Sequence, residues 1–409
     1  MIDGDRLLAS LEKLRTFGGQ GKGVVRPTFS DQDMAARRWL KAEMADASLD
    51  ATIDGVGNVF GRSKNPGPTL LIGSHSDTQP EGGWLDGAMG VMYAIEIARS
   101  IGADQATEHL PIDVVAWADE EGTYCSFLGS RSYVGELPES YLADTSSNGE
   151  SVGDAVERVG LSQVPGQRFR TGEHIGYLEA HIEQGPHLED AKLLIGVVTS
   201  IVGIHGFDVS FTGEQNHAGT TPMSKRKDAA VAMFGFGVEV QDRLTRASSA
   251  ASVWTIGDAR IEPGAESIVP GYAELVLQMR DGSDDTLAEM DRAVLGLVDE
   301  LNLAKPDGVK TEATSRRSIV ATEMDTGLQD HIRVAAEANV PGLWQEMPSA
   351  AGHDPMVLSR HMPCAMLFIP SIGGISHDFA EDSAPEDIVM GCQVLADAAV
   401  SILTAGSAS

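Results

Sequence analysis

Thiol is the scarcest chemistry in this chain, with three cysteines (Cys125, Cys364 and Cys392) among 409 residues. They are too few and too scattered for a disulfide framework or a thiolate zinc site, so a reduced, cytoplasmic compartment is the expectation. Positive charge is short as well. Lysine and arginine number 30 against 60 acids, a formal net charge of −30 that repels nucleic acid and anionic membrane. No apolar run is read as long enough for a membrane span. The opening Met1-Ile-Asp-Gly-Asp-Arg has no basic stretch leading into an apolar core, so no secretory leader is expected. A Gly-x-Ser-x-Gly elbow, a phosphate loop and a dinucleotide fingerprint in the right context are missing too.

What is present is enough apolar residue, 42%, and enough length for two domains rather than one core. Apolar positions recur at helical spacing over residues 3–17 and 31–46, the second with Ser30 or Asp31 available as a cap. Strand-like runs at 51–54 and 57–62 precede a buried strand at 70–72, a helix at 88–101 and a strand at 112–117. Such alternation argues for an α/β sheet. Residues 136–175 read as a polar surface excursion with a helix at 151–160. From 204 the pattern changes: strand 207–212, helix 228–245, strands 252–256 and 273–280, helix 285–301 and a weak strand at 309–313. That β-α-β-β-α-β order suits an inserted lid or subunit interface over 206–317, leaving 1–205 plus 318–409 as the main domain. A helix at 325–338, a small-residue loop at 348–354, a buried strand at 364–369 and a helix at 387–405 return the chain to it.

Chemistry collects where buried runs stop. The first such run delivers His75 and Asp77, two apart and so on one side of an extended chain, and a glycine-rich loop then brings in Asp86. The strand at 112–117 ends in Ala118-Asp-Glu-Glu-Gly122. Adjacent acids such as Glu120 and Glu121 can divide labour, one binding metal and one exchanging protons. His181 lies in an alternating apolar run, and His377 follows the strand at 364–369. Taken singly, each has an ordinary reading: a polar turn, an acidic surface turn, a satisfied core histidine. Taken together they are nitrogen and oxygen donors without thiolate, suited to Zn²⁺ or to Mn²⁺, Co²⁺ or Ni²⁺. Two such ions sharing one carboxylate would lie ~3.5–4 Å apart with a water between them. Cys125 is not read as a nucleophile, since no dedicated base would remain for it.

At this point the motifs match a known group. The chain resembles the hydantoinase/carbamoylase amidases of the M20 metallopeptidase clan, among them L-carbamoylases, allantoate amidohydrolases and β-ureidopropionases. The resemblance spans nearly the whole length and rests on separated motifs in the family's order. These are Gly73-Ser-His-Ser-Asp-Thr78 with Asp86-Gly87; Glu120-Glu-Gly122; His181-Ile-Glu-Gln-Gly-Pro186; His217-Ala-Gly-Thr-Thr-Pro-Met223 with Arg226 and Asp228; and Gly373-Gly-Ile-Ser-His377.

The resemblance implies a zinc-exopeptidase-like catalytic α/β domain with an inserted ferredoxin-like dimerisation or lid domain. It implies that His75 and His181 hold one divalent metal, Glu121 and His377 complete a second, and Asp86 bridges them. Zn²⁺ leads, with Mn²⁺, Co²⁺ or Ni²⁺ as alternatives. Glu120 would be the general base and Asp77 the carboxylate that orients His75. His217 would reach the partner subunit's active site in a homodimer and stabilise an oxyanion. Arg280 would clamp a substrate carboxylate, while Gln184 and the backbone of Gly373 and Gly374 would line the substrate site. His353 would support the site without binding metal.

Two departures stand out. The family usually follows its acid pair with Gly-Ser-Arg-Phe, whereas Gly122 here leads into Thr-Tyr-Cys-Ser-Phe127. It also usually carries Asn ahead of its Val-Ile-Pro-Gly turn, where this chain has Ser267 before Ile268-Val-Pro-Gly271, so the pocket is expected to hold something different there. The expected activity is hydrolysis of a linear C–N bond in a small carboxylate-bearing amide or ureide. The alternatives are an M20-type aminoacylase or exopeptidase, whose peptidase members place Asp or Glu at the position of His181, and a non-catalytic binding protein.

Overall fold

A computed structural model describes residues 2–406, and the chain divides into two compact units. The first comprises residues up to Thr199, Met324–Met347 and the chain from Gly352 onward. Its strands run in the order Trp344–Ser349, Ile195–Ile201, Cys364–Ile369, His174–Ile182, Thr69–His75, Ile112–Trp117, Val59–Arg62 and Asp50–Ile53. The four central strands, from Cys364–Ile369 to Ile112–Trp117, are parallel and their neighbours antiparallel. All residues of Thr69–His75, Ile112–Trp117 and Cys364–Ile369 are buried, which is why they read as continuous apolar runs without alternation.

Helices Gly4–Arg15, Asp31–Asp46, Ala88–Ala103, Thr326–Asn339 and Pro385–Gly406 share one core with these strands. Local chemistry sets where they begin. Asp3, Ser30 and Asp325 each accept a backbone N–H of the first turn of the helix that follows. Helix Pro385–Gly406 corrects the sequence reading on one point. By length and composition it is long and apolar enough to cross a membrane, with mean hydropathy 1.8 over an 18-residue window within Pro385–Ala405. That overturns the expectation that no apolar run reaches span length, and the helix begins two residues before 387; Ile388, Cys392, Leu395, Ala399 and Leu403 are nevertheless buried in the core of this unit.

The second unit comprises Ser200–Glu323 and Pro348–Ala351. Its antiparallel sheet has the order Val253–Glu262, Tyr272–Asp281, Gly203–Thr212, Lys310–Ile319. Helices Ala229–Ala247 and Asp284–Ala304 supply the rest of its core, in which Phe207, Val209 and Phe211 stand opposite Leu277, Leu275 and Ala273 on the neighbouring strand. The boundaries lie outside the 206–317 segment because strands Gly203–Thr212 and Lys310–Ile319 extend past the runs recognisable as apolar. The strand expected to stop at 256 continues to Glu262, with a register shift between Ile256 and Asp258 marking a bulge at Gly257.

Candidate metal centre

Each of the four parallel strands ends in a candidate ligand or leads into one, the place where open α/β sheets present their chemistry. His75 closes strand Thr69–His75, and Glu120 and Glu121 follow Trp117. His181 is the penultimate residue of His174–Ile182. The loop after Ile369 brings His377. Asp86 stands before helix Ala88–Ala103, whose cap Gly87 has φ +62°. A Cβ on Gly87 would lie 2.3 Å from His75 Nε2, so only glycine lets the imidazole approach.

The two oxygens of Asp86 face different partners. Oδ1 lies 3.2 Å from His75 Nε2 and 3.1 Å from His181 Nε2. Oδ2 lies 3.3 Å from His377 Nε2, which in turn lies 3.6 Å from Glu121 Oε1. His75, Asp86 and His181 thus form one donor trio and Asp86, Glu121 and His377 another, the donor atoms of each within 4.8 Å of one another. The tautomers fit cation binding. His75 Nδ1 and His181 Nδ1 face the carbonyl oxygens of Asp77 and Ile182 at 3.1 and 2.9 Å, so each donates its proton there. Gly87 N–H donates to His181 Nε2, and both Nε2 atoms meet Asp86 with lone pairs. Lone pair facing carboxylate is stable only with positive charge between them, a proton or a cation.

Titration behaviour follows from that arrangement. Burial alone would raise the Asp86 carboxyl, but the charge of His181 and hydrogen bonds to His181, His377 and His75 hold it well below the carboxylate range. His377 is drawn up to about 9, chiefly by its hydrogen bond to Asp86 against the opposing effect of burial. Burial lifts the Glu120 carboxyl well above normal; His75 opposes this and Glu121, Asp354 and Asp86 add to it. Glu120 Oε2 lies 3.6 Å from His75 Nε2. A ligand histidine must lose its proton to bind metal. Loading the metal-free protein at pH 7.5 is therefore expected to release at least one proton per chain, read by calorimetry in buffers of different ionisation enthalpy. Proton-neutral binding would remove His377 from the ligand set.

Several surrounding residues were not legible as functional. Glu381 Oε1 accepts the backbone N–H groups of Leu85 and Asp86 at 3.2 and 3.0 Å, and its Oε2 accepts from Ser376 Oγ at 2.9 Å. Ser376 Oγ also lies 3.2 Å from Asp86 Oδ2. Burial and the Asp86 charge push Glu381 up to about 7. In the sequence it sits in an acidic loop that reads as solvated surface. Glu381→Ala is expected to weaken metal affinity 10–100-fold, as loss of such an orienting group does, measured by competition with a chromogenic chelator; unchanged affinity would contradict its placement. Gln79 Nε2 likewise donates to Glu121 Oε2 at 2.7 Å. Fully buried Arg37 bonds Asp33 and the carbonyls of Gly57 and Trp117, with Nη2 3.9 Å from Asp77.

The orienting atom of Asp77 is its carbonyl oxygen; its carboxylate lies 3.8 Å from His75 Nδ1 and accepts the Glu121 N–H at 3.2 Å. Gln184 reaches the centre, donating from Nε2 to Asp86 Oδ2 at 2.8 Å. The Gly373 N–H donates to Glu189 and the Gly374 N–H to the Ser371 carbonyl. The His353 ring packs 4.6 Å from that of His181, and burial together with the neighbouring imidazoles keeps it neutral, well below its usual pKa. Burial raises the Cys125 thiol to about 11, unsuited to a nucleophile.

His217, Ser267 and Arg280 belong to the second unit. His217 Nδ1 accepts the Gly219 and Thr220 N–H groups at 2.9 and 3.2 Å, which leaves the proton on the exposed Nε2. Ser267 accepts the Ala218 N–H through its carbonyl, and Arg280 donates to Gln278 and to the carbonyl of Ala350.

A donor cage built on one shared carboxylate at the ends of parallel strands marks a candidate divalent-metal centre of an α/β protein. The chain belongs to the peptidase family M20/M25/M40, whose profile matches residues 71–401. It is 33% identical to an N-carbamoyl-L-amino acid amidohydrolase of Geobacillus stearothermophilus, over 97% of each chain. It is 30% identical to an allantoate amidohydrolase of Bacillus subtilis, over 95% of each. A crystal structure of an amidase of the hydantoinase/carbamoylase family from Burkholderia phymatum superposes with a TM-score of 0.93 at 48% identity, covering 99% of this chain and 98% of that one.

Proposed function

We propose that this protein is a metal-dependent amidohydrolase that cleaves the linear C–N bond of an N-carbamoyl-L-amino acid or a related ureido or N-acyl acid. The observation that carries the reading is Asp86, which offers one oxygen to each of two donor trios. His75 and His181 would hold one cation, Glu121 and His377 the other, and Asp86 both; Zn²⁺ fits the nitrogen and oxygen donors, with Mn²⁺, Co²⁺ and Ni²⁺ as alternatives. When bound, the pair would supply Lewis acidity and ease deprotonation of a water at neutral pH.

The remaining work belongs to the chain. Glu120 Oε2 takes the proton of the attacking water and hands it to the leaving nitrogen, a task that suits a carboxyl whose proton affinity burial has raised. Gln184, hydrogen-bonded to Asp86 and facing His377 Nε2 at 3.3 Å, lines the substrate side. Arg280 supplies the guanidinium for the substrate carboxylate, and His217 donates from Nε2 to the developing oxyanion. Strand register supports a role for His217 in a partner's site. Arg280 and Ile204 pair at one end of the second unit's sheet, and Tyr272 and Thr212 at the other, beside the His217 loop. Eight residue steps at about 3.4 Å each separate them by ~27 Å, too far for one small substrate.

A second copy of the chain also suits the apolar stripe on helix Ala229–Ala247, where Val231, Phe234 and Val238 are 65%, 61% and 73% exposed. Sedimentation equilibrium is expected to give a dimer that Phe234→Glu dissociates with loss of turnover; a fully active monomer would remove His217 from catalysis. The function itself is tested on carbamoyl, ureido and N-acyl acids after chelation and reloading with Zn²⁺, Mn²⁺ or Co²⁺. Metal-restored release of ammonia from the carbamoyl compounds is expected. Activity confined to N-acyl or dipeptide substrates would move the protein to the aminoacylase or exopeptidase reading.

A further inference from the structure

The departure after the acid pair borders a cavity of about 590 Å³ in the first unit. Gln79 and Glu121 are among its lining residues, and the Glu121 carboxylate that accepts from Gln79 also lies 3.6 Å from His377 Nε2 in the second donor trio. That volume is typical of small-ligand sites. The loop that lines it is firmly held. Asp119, itself at φ +56°, accepts the backbone N–H groups of Thr123, Tyr124 and Cys125 at 2.8, 3.0 and 2.7 Å. Thr123 Oγ1 accepts the Thr28 N–H at 3.3 Å.

The Tyr124 ring stands 5.7 Å from the ring of Phe29, and its hydroxyl donates to Glu150 Oε2 at 2.7 Å. Arg158 donates to both oxygens of the same carboxylate, at 2.7 and 2.9 Å. The charges of the cavity are therefore spoken for: Glu150 by Arg158 and Tyr124, Glu121 by Gln79 and the donor trio. What faces a guest is apolar surface from Val25, Pro27 and Pro80 and the Tyr124 ring, interspersed with the hydroxyl-bearing Thr28, Ser30, Thr78 and Thr145, with the exposed Ser147 and Asn148 at the rim.

We propose that this cavity is the subsite for the substrate's side chain and that it takes a bulky, uncharged one, with Tyr124 the specificity-determining residue. The inference rests on the amidohydrolase reading and deepens it. An anionic side chain would meet Glu121 and Glu150 with no free cation in the cavity. A cationic one would find both carboxylates already engaged. An apolar or aromatic group instead gains burial against Val25, Pro80 and Tyr124.

The test uses the metal-loaded full chain and N-carbamoyl derivatives of glycine, phenylalanine, methionine, aspartate and lysine. Wild-type kcat/KM is expected to favour the phenylalanine and methionine derivatives over aspartate and lysine by at least tenfold. Ser147→Trp, at an exposed rim position, and Tyr124→Ala, which removes the wall, are each expected to cost the phenylalanine derivative tenfold or more, mainly through KM. The glycine derivative should lose several-fold less, and metal content by plasma emission should stay at the wild-type value. Equal losses for glycine and phenylalanine derivatives, no loss, or a preference for charged side chains would overturn the subsite and leave the hydrolase assignment standing. Absence of turnover on every compound at full metal load would overturn both. Should one variant not fold, the other carries the same comparison.

Discussion

Glu120→Gln is expected to lower kcat by about three orders of magnitude while the protein keeps its metal. Glutamine preserves the shape of the side chain and a carbonyl oxygen toward His75 Nε2, 3.6 Å from Glu120 Oε2, but it cannot take up a proton. Glu120 belongs to neither donor trio, so bound metal should match wild type by elemental analysis. KM should change little, because the carboxylate acts on the water rather than on the substrate's carboxylate. Burial and the neighbouring acids Glu121, Asp354 and Asp86 raise its proton affinity, against the pull of His75. Cations bound beside it would draw that affinity back toward neutrality, where a group that accepts and returns a proton works best. A variant that lost metal and activity together would make Glu120 a ligand instead.

Asp86→Ala is the second large effect, and it falls on metal content first. Removing one side chain takes an oxygen from each trio, so both ions should be lost on dialysis and turnover should fall to background. His377→Ala removes a donor from one trio alone and should leave the ion held by His75 and His181. The pair of variants thus separates a shared carboxylate from two independent sites. Asp86→Ala also removes the charge that chiefly holds the His181 pKa up against burial, and the hydrogen bond that supports His75 beside the larger effect of the Glu120 charge. Their imidazoles should therefore titrate at lower pH by NMR than in the metal-free wild type. An Asp86→Ala protein that kept one tightly bound ion would contradict bridging.

Much of the centre could be read from the sequence because its residues lie where buried runs stop, and continuous apolar runs are the strongest local signal a parallel strand leaves. His75, Glu120, Glu121, His181 and His377 were found that way, and the structure brings them around Asp86. What escaped has no local signature. Glu381 lies in an acidic loop whose burial depends on Gly83, where a Cβ would collide with the Glu381 carboxylate at 1.8 Å. Arg26 and Arg37 are fully buried cations, the last residues expected inside. Arg26 bonds the carbonyls of Ser76, Leu14 and Phe17, a partnership that only tertiary structure creates. Strand Trp344–Ser349 is polar and carries Pro348, tolerable because it pairs at the flank of the sheet beyond the parallel core. The bulge at Gly257 hid the second half of strand Val253–Glu262 for the same kind of reason, since it breaks the two-residue alternation on which strand reading relies.

One aspartate, Asp86, is expected to hold two cations. Anomalous diffraction from crystals grown with Zn²⁺ tests this directly, with data collected on both sides of the zinc edge. Two peaks per chain are expected, one beside Asp86 Oδ1 between His75 and His181 and one beside Oδ2 between Glu121 and His377. A single peak, or peaks away from Asp86, would contradict it.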